Sequence, residues 1–261
     1  MDKQINIKET LDWYILAGVD EICGDMPCLI SEKSSSHSSI LQPSISSTPQ
    51  RNIVSIVPAS DALKNAKEVC LKASSLTELK ELLLKFDGCN LKNTAASTIL
   101  GDGNPHAKIM FIGEAPGADE DRLGKPFVGR CGKLLDKILA AINLKREDCY
   151  ITNVLPWRPP GNRTPTDDEV ALCLPFLKRQ IELINPDFLV LLGGIALKSV
   201  MDCSDSISRT RGKWMSYMLS DKELQVIATY HPSYLLRSSA QKSKVWIDFL
   251  RLKKKIKEIE K

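Results

Sequence analysis

The sequence predicts an α/β protein: a three-layer αβα arrangement around a central, mainly four-stranded parallel sheet, with an N-terminal helical segment added. Three observations predict it. Four runs of strand length, 107–113 (AKIMFIG), 149–154 (CYITNV), 187–193 (DFLVLLG) and 225–230 (QVIATY), are almost continuously apolar, as strands are when both faces of a sheet are covered. Amphipathic helical patterns at 131–142 and 166–184 separate them, and strands alternating with helices form parallel sheets. With 261 residues, 43% of them hydrophobic and 26% charged, the chain is long enough for one such domain and an appendage.

From the N-terminus, residues 7–22 (IKETLDWYILAGVDEI) carry apolar positions at helical spacing, so 1–28 is expected to be a helical segment. Residues 31–50 are nearly half serine. Such a composition buries too little apolar surface to offset its ordering entropy, so 29–70 is expected to be a flexible linker to a domain at 71–261. Within that domain, 75–86 (SLTELKELLLKF) opens with a serine cap and keeps i, i+3, i+4 apolar spacing, predicting a helix. The helix at 166–184 opens on a Thr-Asp-Asp cap. The last helix, 245–261 (VWIDFLRLKKKIKEIEK), ends in a lysine-rich tail expected simply to be solvated.

The net charge of +4 permits a polyanionic partner without demanding one. No apolar run approaches the roughly 18–20 residues that span a bilayer, and the N-terminus lacks the basic-then-apolar layout of a secretory signal. A cytoplasmic protein with no membrane partner is expected. Eight cysteines are scattered without any C-x-x-C pair; most are expected to be small buried hydrophobes. Cys23 and Cys28, with His37 beyond them, are the nearest approach to a metal pattern and a weak one.

In a parallel α/β sheet ligands bind outside the carboxyl ends of the strands. Three of the four predicted strands run into unusual segments: GEAPGADED (113–121), LPWRPPGNRTPT (155–166) and HPSYLLR (231–237). All three are therefore expected on one rim. The first lacks either glycine pattern of nucleotide-binding loops. Its Glu114 and Glu120 could activate water or stabilise a cation, or merely cap the next turn. Phe127, between Pro126 and Gly129 in KPFVG, could stack on a flat ring or plug the core. Asn153 ends a strand, where its amide could read two neighbouring edge atoms of a pyrimidine or simply serve a turn. Arg158 and Arg163 could contact phosphates, with Asn162 facing inward. His231 could hydrogen-bond a developing anion or be an ordinary satisfied polar residue; Pro232 and Ser233 could press on a backbone, and Leu235 could wedge into a base stack.

The combination GEAPGADED…GKPFVGRCG, YITNV…RPPGNRTP and HPSYLLR closely resembles the family 4 uracil-DNA glycosylases, over about 89 to 250. The resemblance implies a monofunctional DNA repair hydrolase that flips uracil out of DNA, cleaves its N-glycosidic bond and leaves an abasic site. It implies that 71–261 is the catalytic domain. By the same resemblance Glu114, with Asn162, positions the attacking water, and His231 donates to uracil O2. Gly113, Ala115, Phe127 and Asn153 contact the base, Glu120 lies beside C5 where it would reject thymine, and Arg158, Arg163, Pro232, Ser233, Leu235 and Arg237 hold DNA.

Family members usually carry a four-iron cluster on four cysteines. Cys89 and Cys173 match two of those positions, but Lys92 and Trp157 occupy the others. Two thiolates cannot hold such a cluster, so it is expected to be absent and no cofactor required. The implied partner is uracil-containing DNA, single- or double-stranded, bound by a monomer, with downstream repair proteins unspecified. Two alternatives stay open: a non-catalytic DNA-binding module of the same fold, and a glycosylase for another deaminated base.

Overall fold

The computed structural model describes residues 59–259. The helix expected at 7–22, the serine-rich stretch, Cys23, Cys28 and His37 lie outside the described residues. Two helices, α1 (Ala59–Leu71) and α2 (Leu76–Lys85), precede the short strand β1 (Asp102–Gly103). Then follow β2 (Ile109–Gly113), α3 (Ala118–Leu123), α4 (Arg130–Ala141), β3 (Tyr150–Asn153), α5 (Asp167–Ile184), β4 (Phe188–Leu192) and α6 (Gly194–Met201). The chain continues through α7 (Ile207–Thr210), β5 (Trp214–Leu219), β6 (Lys222–Thr229), α8 (Pro232–Arg237) and α9 (Lys242–Ile259).

The strands form one sheet in the order β1-β3-β2-β4-β6-β5. The four central strands are parallel, and antiparallel β1 and β5 close the edges. Each central strand divides its side chains between two cores. Met110, Ile112, Leu189, Leu191, Val226 and Ala228 face a core shared with α1, α2, α5 and α6. Ile109, Phe111, Phe188, Val190, Leu192 and Ile227 face a second core built with α4, α8 and α9. The strands read as unbroken apolar runs because neither face meets water, which is the three-layer arrangement. No helix among the described residues is long and apolar enough to cross a membrane.

The strand order positions the site. From β2 the chain passes through α4, on one face, to neighbouring β3. It then returns across the sheet through α5, on the other face, to β4 on the opposite side of β2. The direction of winding therefore reverses between β2 and β4, where covering helices diverge and leave a crevice at the carboxyl ends.

The structure departs from the sequence reading in three places. Residues 59–70, placed in the linker, belong to α1, whose Ala62, Ala66 and Cys70 repeat at intervals of four and are buried. They pack against α5, so the ordered domain begins earlier than 71. The carboxylate-rich segment after β2 is not a plain turn, because 118–123 is helical. Asp119, Glu120 and Asp121 all fall in its first turn, where the exposed N–H groups favour negative charge. Edge strand β5 (WMSYML) has half-exposed residues on both faces and so lacks the apolar continuity of its neighbours.

Candidate active site

The site begins at Gly113, the last residue of β2, which lies opposite Asn153, the last residue of β3. The pairing runs on past the strands: Val154 N–H donates to Gly113 O at 2.9 Å and Leu155 N–H to Glu114 O at 3.1 Å. A β-carbon on Gly113 would fall 2.4 Å from Asn153 Oδ1 and 2.5 Å from Phe127 Cζ. Only a hydrogen fits, so an amide and an aromatic ring converge over this one residue.

Phe127 reaches that place at a conformational cost. Its φ is 52°, in the left-handed region, where a bulky residue is strained by about 1–3 kcal/mol. The loop is pinned from both sides. Glu120 Oε1 accepts from Val128 N at 3.0 Å and Gly129 N at 2.8 Å, and its Oε2 accepts from Gly117 N at 3.1 Å. Arg146 donates to Phe127 O at 3.0 Å and Pro126 O at 2.6 Å. The carboxylate of Glu120 thus performs the capping role that the sequence left open, while its side chain still lines the cavity.

His231 arrives from the end of β6. Its ring centroid lies 5.5 Å from that of Phe127. Neighbouring Gly193, at φ 98°, makes room: a β-carbon there would stand 3.1 Å from His231 Cβ. His231 Nδ1 accepts from Ser233 N–H at 3.2 Å and lies 2.8 Å from Ser233 Oγ. A backbone N–H can only donate, so Nδ1 is the acceptor and the proton of the neutral ring sits on Nε2. That Nε2 is buried without a protein partner, as is Asn153 Oδ1. Burial, with a smaller contribution from the Arg237 cation, lowers the His231 pKa to about 4, so the ring is neutral at physiological pH.

These groups line a cavity of about 290 Å³, at the small end of ligand sites. Glu114, Ala115, Glu120, Phe127, Asn153 and His231 all face it, and Asn162, Arg163, Ser233 and Arg237 form its outer parts. Burial raises the Glu114 pKa, opposed by Arg237. Asn162 is solvent-exposed, with φ 54°, and its Oδ1 accepts from Arg158 Nε at 2.7 Å.

The expected DNA-contacting residues divide. Arg237 is exposed at the mouth. Arg163 is held in a two-point ion pair with Glu169, at 2.6 and 2.8 Å, which ties down a guanidinium expected to be free for phosphate. Pro232 is buried at the first turn of α8, and the Ser233 hydroxyl points to His231. Leu235, expected to wedge into a base stack, is instead fully buried in the core with α4 and α9, whereas Leu236 is 41% exposed. On a helix of this length adjacent residues point about 100° apart, and the core takes Leu235. Leu235→Ala is accordingly expected to destabilise the fold by about 2–5 kcal/mol in denaturant unfolding.

Pro116, Gly117, Cys131 and Pro159 line the cavity and Gly193 backs His231, and none of these was singled out as a site residue from the sequence. Cys131 faces the cavity from the first turn of α4, with its thiol pKa raised by burial and by nearby Glu120. Gly193 belongs to the fourth strand end, which looked ordinary; a Gly-Gly pair directly after an apolar run was the available signal.

The residues at the family's cluster positions all have partners within the protein. Trp157 is buried, its indole N–H donating to Thr98 Oγ1 at 2.9 Å. Lys92 pairs with Asp87 at 2.5 Å. The thiols of Cys89 and Cys173 hydrogen-bond one another inside the apolar core; that bond and burial hold Cys173 well above the ordinary thiol value.

A partly enclosed cavity at a switch point, with one aromatic face, one unpaired amide acceptor, one unpaired neutral imidazole donor and two carboxylates, has the parts to hold a single planar polar ring. Comparison with known proteins gives that class its family. The profile of the Uracil DNA glycosylase superfamily matches residues 100–250. The chain is 43% identical over 182 residues to the type-4 uracil-DNA glycosylase of Archaeoglobus fulgidus, covering 68% of this chain and 92% of that protein. It is 45% identical over 161 residues to the type-4 uracil-DNA glycosylase of Thermotoga maritima, covering 61% and 82%. The Sulfurisphaera tokodaii type-4 uracil-DNA glycosylase is 40% identical over 190 residues, covering 71% and 84%. The chain belongs to the uracil-DNA glycosylase superfamily, among relatives of type 4.

Proposed function

We propose that the cavity receives one uracil swung out of DNA, and that the residues around it perform the hydrolysis as follows. The chain is a uracil-excising DNA repair glycosylase, a hydrolase of the N-glycosidic bond. The observation that carries the pocket assignment is the pair of buried, unpartnered atoms, Asn153 Oδ1 and His231 Nε2, set around the Phe127 ring. Asn153 accepts from uracil N3–H and donates to O4. Cytosine presents the reverse pattern and would leave buried groups unpaired, a failure that discriminates by about 10⁴-fold. Thymine keeps the pattern, so its rejection falls to bulk beside C5, where Glu120 is held rigid by three backbone donors.

Cleavage leaves the bonding electron pair on the base, as a uracil anion, and an electron-deficient sugar. His231 Nε2–H donates to O2 as negative charge develops there. Glu114, aided by the amide of Asn162, orients water toward the sugar carbon and takes up its proton. Flipping costs a few kcal/mol, least for a mispaired or single-stranded base, and Arg237 and the exposed face of α8 contact the flanking phosphates.

Glu114 must be ionised for this role, and its pKa is raised. Going down in pH, kcat/KM is therefore expected to fall through a pKa above the ordinary carboxylate value, before His231 titrates at about 4. Because Arg237 lowers the Glu114 pKa, Arg237→Ala should move that acid limb to higher pH. A limb that stays in place in the variant would contradict the assignment.

The reading includes no iron-sulfur cluster. It is supported by the two-thiol set, by the indole of Trp157 engaged with Thr98, and by Lys92 engaged with Asp87. Iron assay and absorbance near 400 nm on anaerobically purified protein test it. The same proposal makes the enzyme a cytoplasmic monomer that meets its substrate on the nucleoid.

The function itself is tested by incubating the protein with oligonucleotides carrying uracil, hypoxanthine, xanthine or thymine, followed by alkaline cleavage. Strand scission at uracil above all others is expected. Tight binding without scission would favour a non-catalytic module, and preferred scission elsewhere a different base.

A further inference from the structure

The lysine-rich end of α9 is more than a solvated tail. Arg251, Lys254, Lys255 and Glu258 recur three and four residues apart, so they share one helix face. That face, with Lys213 and Trp214 at the start of β5, lines a groove of about 570 Å³ that shares no residue with the uracil cavity. Four cations meet one acid there. Lys213 and Lys255 have no acidic partner among the described residues, and Lys254 has only a loose 3.7 Å contact with Glu258. Arg251 fixes the groove's upper end by donating to Gly212 O at 2.6 Å.

The groove starts beside the catalytic rim. Trp214 pairs with Ile227 in β6, and Gly212 N–H donates to Ala228 O at 2.9 Å. Thr229, the last residue of β6, and then Tyr230 and His231 come next. Lys213 therefore stands level with the strand ends that carry the active site, and Lys254 and Lys255 lie about one helical turn, 4.5–6 Å, beyond Arg251. That step matches one to two phosphates of a DNA strand, at about 3.4 Å of axial rise each. Trp214, half-buried and packed on Phe188 with centroids 6.1 Å apart, floors the groove beside these cations.

We propose that this groove between β5 and α9 is a second DNA-binding surface, which holds the phosphate backbone of duplex flanking the flipped base. It rests on the glycosylase function, and it is tested with Lys213→Gln, Lys254→Gln and Lys255→Gln combined in the full chain. Anisotropy measurements would follow binding to a 30-base-pair duplex carrying a hydrolysis-resistant uracil analogue, across a range of salt concentrations. Losing three phosphate contacts should lower the slope of log affinity against log salt by about 2.7 and weaken low-salt binding by about tenfold or more. Excision from a five-nucleotide single strand, too short to reach the groove, should match the unmodified protein.

An unchanged salt slope and duplex affinity would overturn the proposal. So would equal loss on the five-nucleotide strand, which would mean that these lysines serve the pocket. Failure of the unmodified protein to excise uracil from the short strand would count instead against the glycosylase reading, so the two failures are distinguishable.

Discussion

Asn153→Ala is expected to lower kcat/KM for uracil excision by about 10²–10⁴-fold while leaving the protein as stable as before, or more so. The first part follows from the two-point contact with N3–H and O4. Its loss leaves both base atoms unpaired in a partly enclosed site, at about 1–3 kcal/mol each. The second part follows from the structure: Asn153 Oδ1 is already buried with no protein partner, so its removal relieves a desolvated acceptor instead of breaking a bond. Single-turnover kinetics on a uracil oligonucleotide and thermal melting of the same preparations check the two parts together. A large loss of stability would show that the amide belongs to the scaffold.

His231→Ala is expected to slow the single-turnover rate by about 10²–10³-fold, the usual effect of removing one donor aimed at developing charge. The effect on ground-state DNA binding should be small, since O2 gains its charge only as the bond breaks. The tautomer can be read directly. Nitrogen NMR should find Nε2 protonated and Nδ1 unprotonated, because Ser233 N–H donates to Nδ1. The ring should not titrate until the pH approaches about 4. A ring that becomes cationic near its ordinary pKa would make His231 a charged electrophile, a different mechanism.

Much of this architecture was legible because its physics is local. Four buried parallel strands announce themselves as apolar runs, and α5 by its Thr-Asp-Asp cap, which the structure completes as a capping box between Thr166 and Glu169. Their alternation implied that the three odd loops share a rim, and Glu114, Phe127, Asn153 and His231 do line one cavity. What was hidden depends on partners distant in the chain. Glu120 could be seen as a carboxylate, but not as the acceptor of N–H groups eight and nine residues later. Arg146, which clamps the strained Phe127 loop, gave no signal from its own surroundings. Leu235 and Leu236 are chemically identical neighbours, and only the packing of α8 against α4 decides which is buried. The groove on α9 likewise needs the β5 edge, which sequence periodicity did not reveal.

The central claim is that side chains from three distant segments close on one extruded uracil. It is tested most directly by quantifying free uracil in a single turnover, with protein in excess over a single-stranded uracil oligonucleotide. Stoichiometric release by the unmodified chain, and a severe slowing in Asn153→Ala and His231→Ala alike, is the result this account predicts. Full-speed release by either variant would contradict it, as would an unmodified protein that binds the strand and sets no base free.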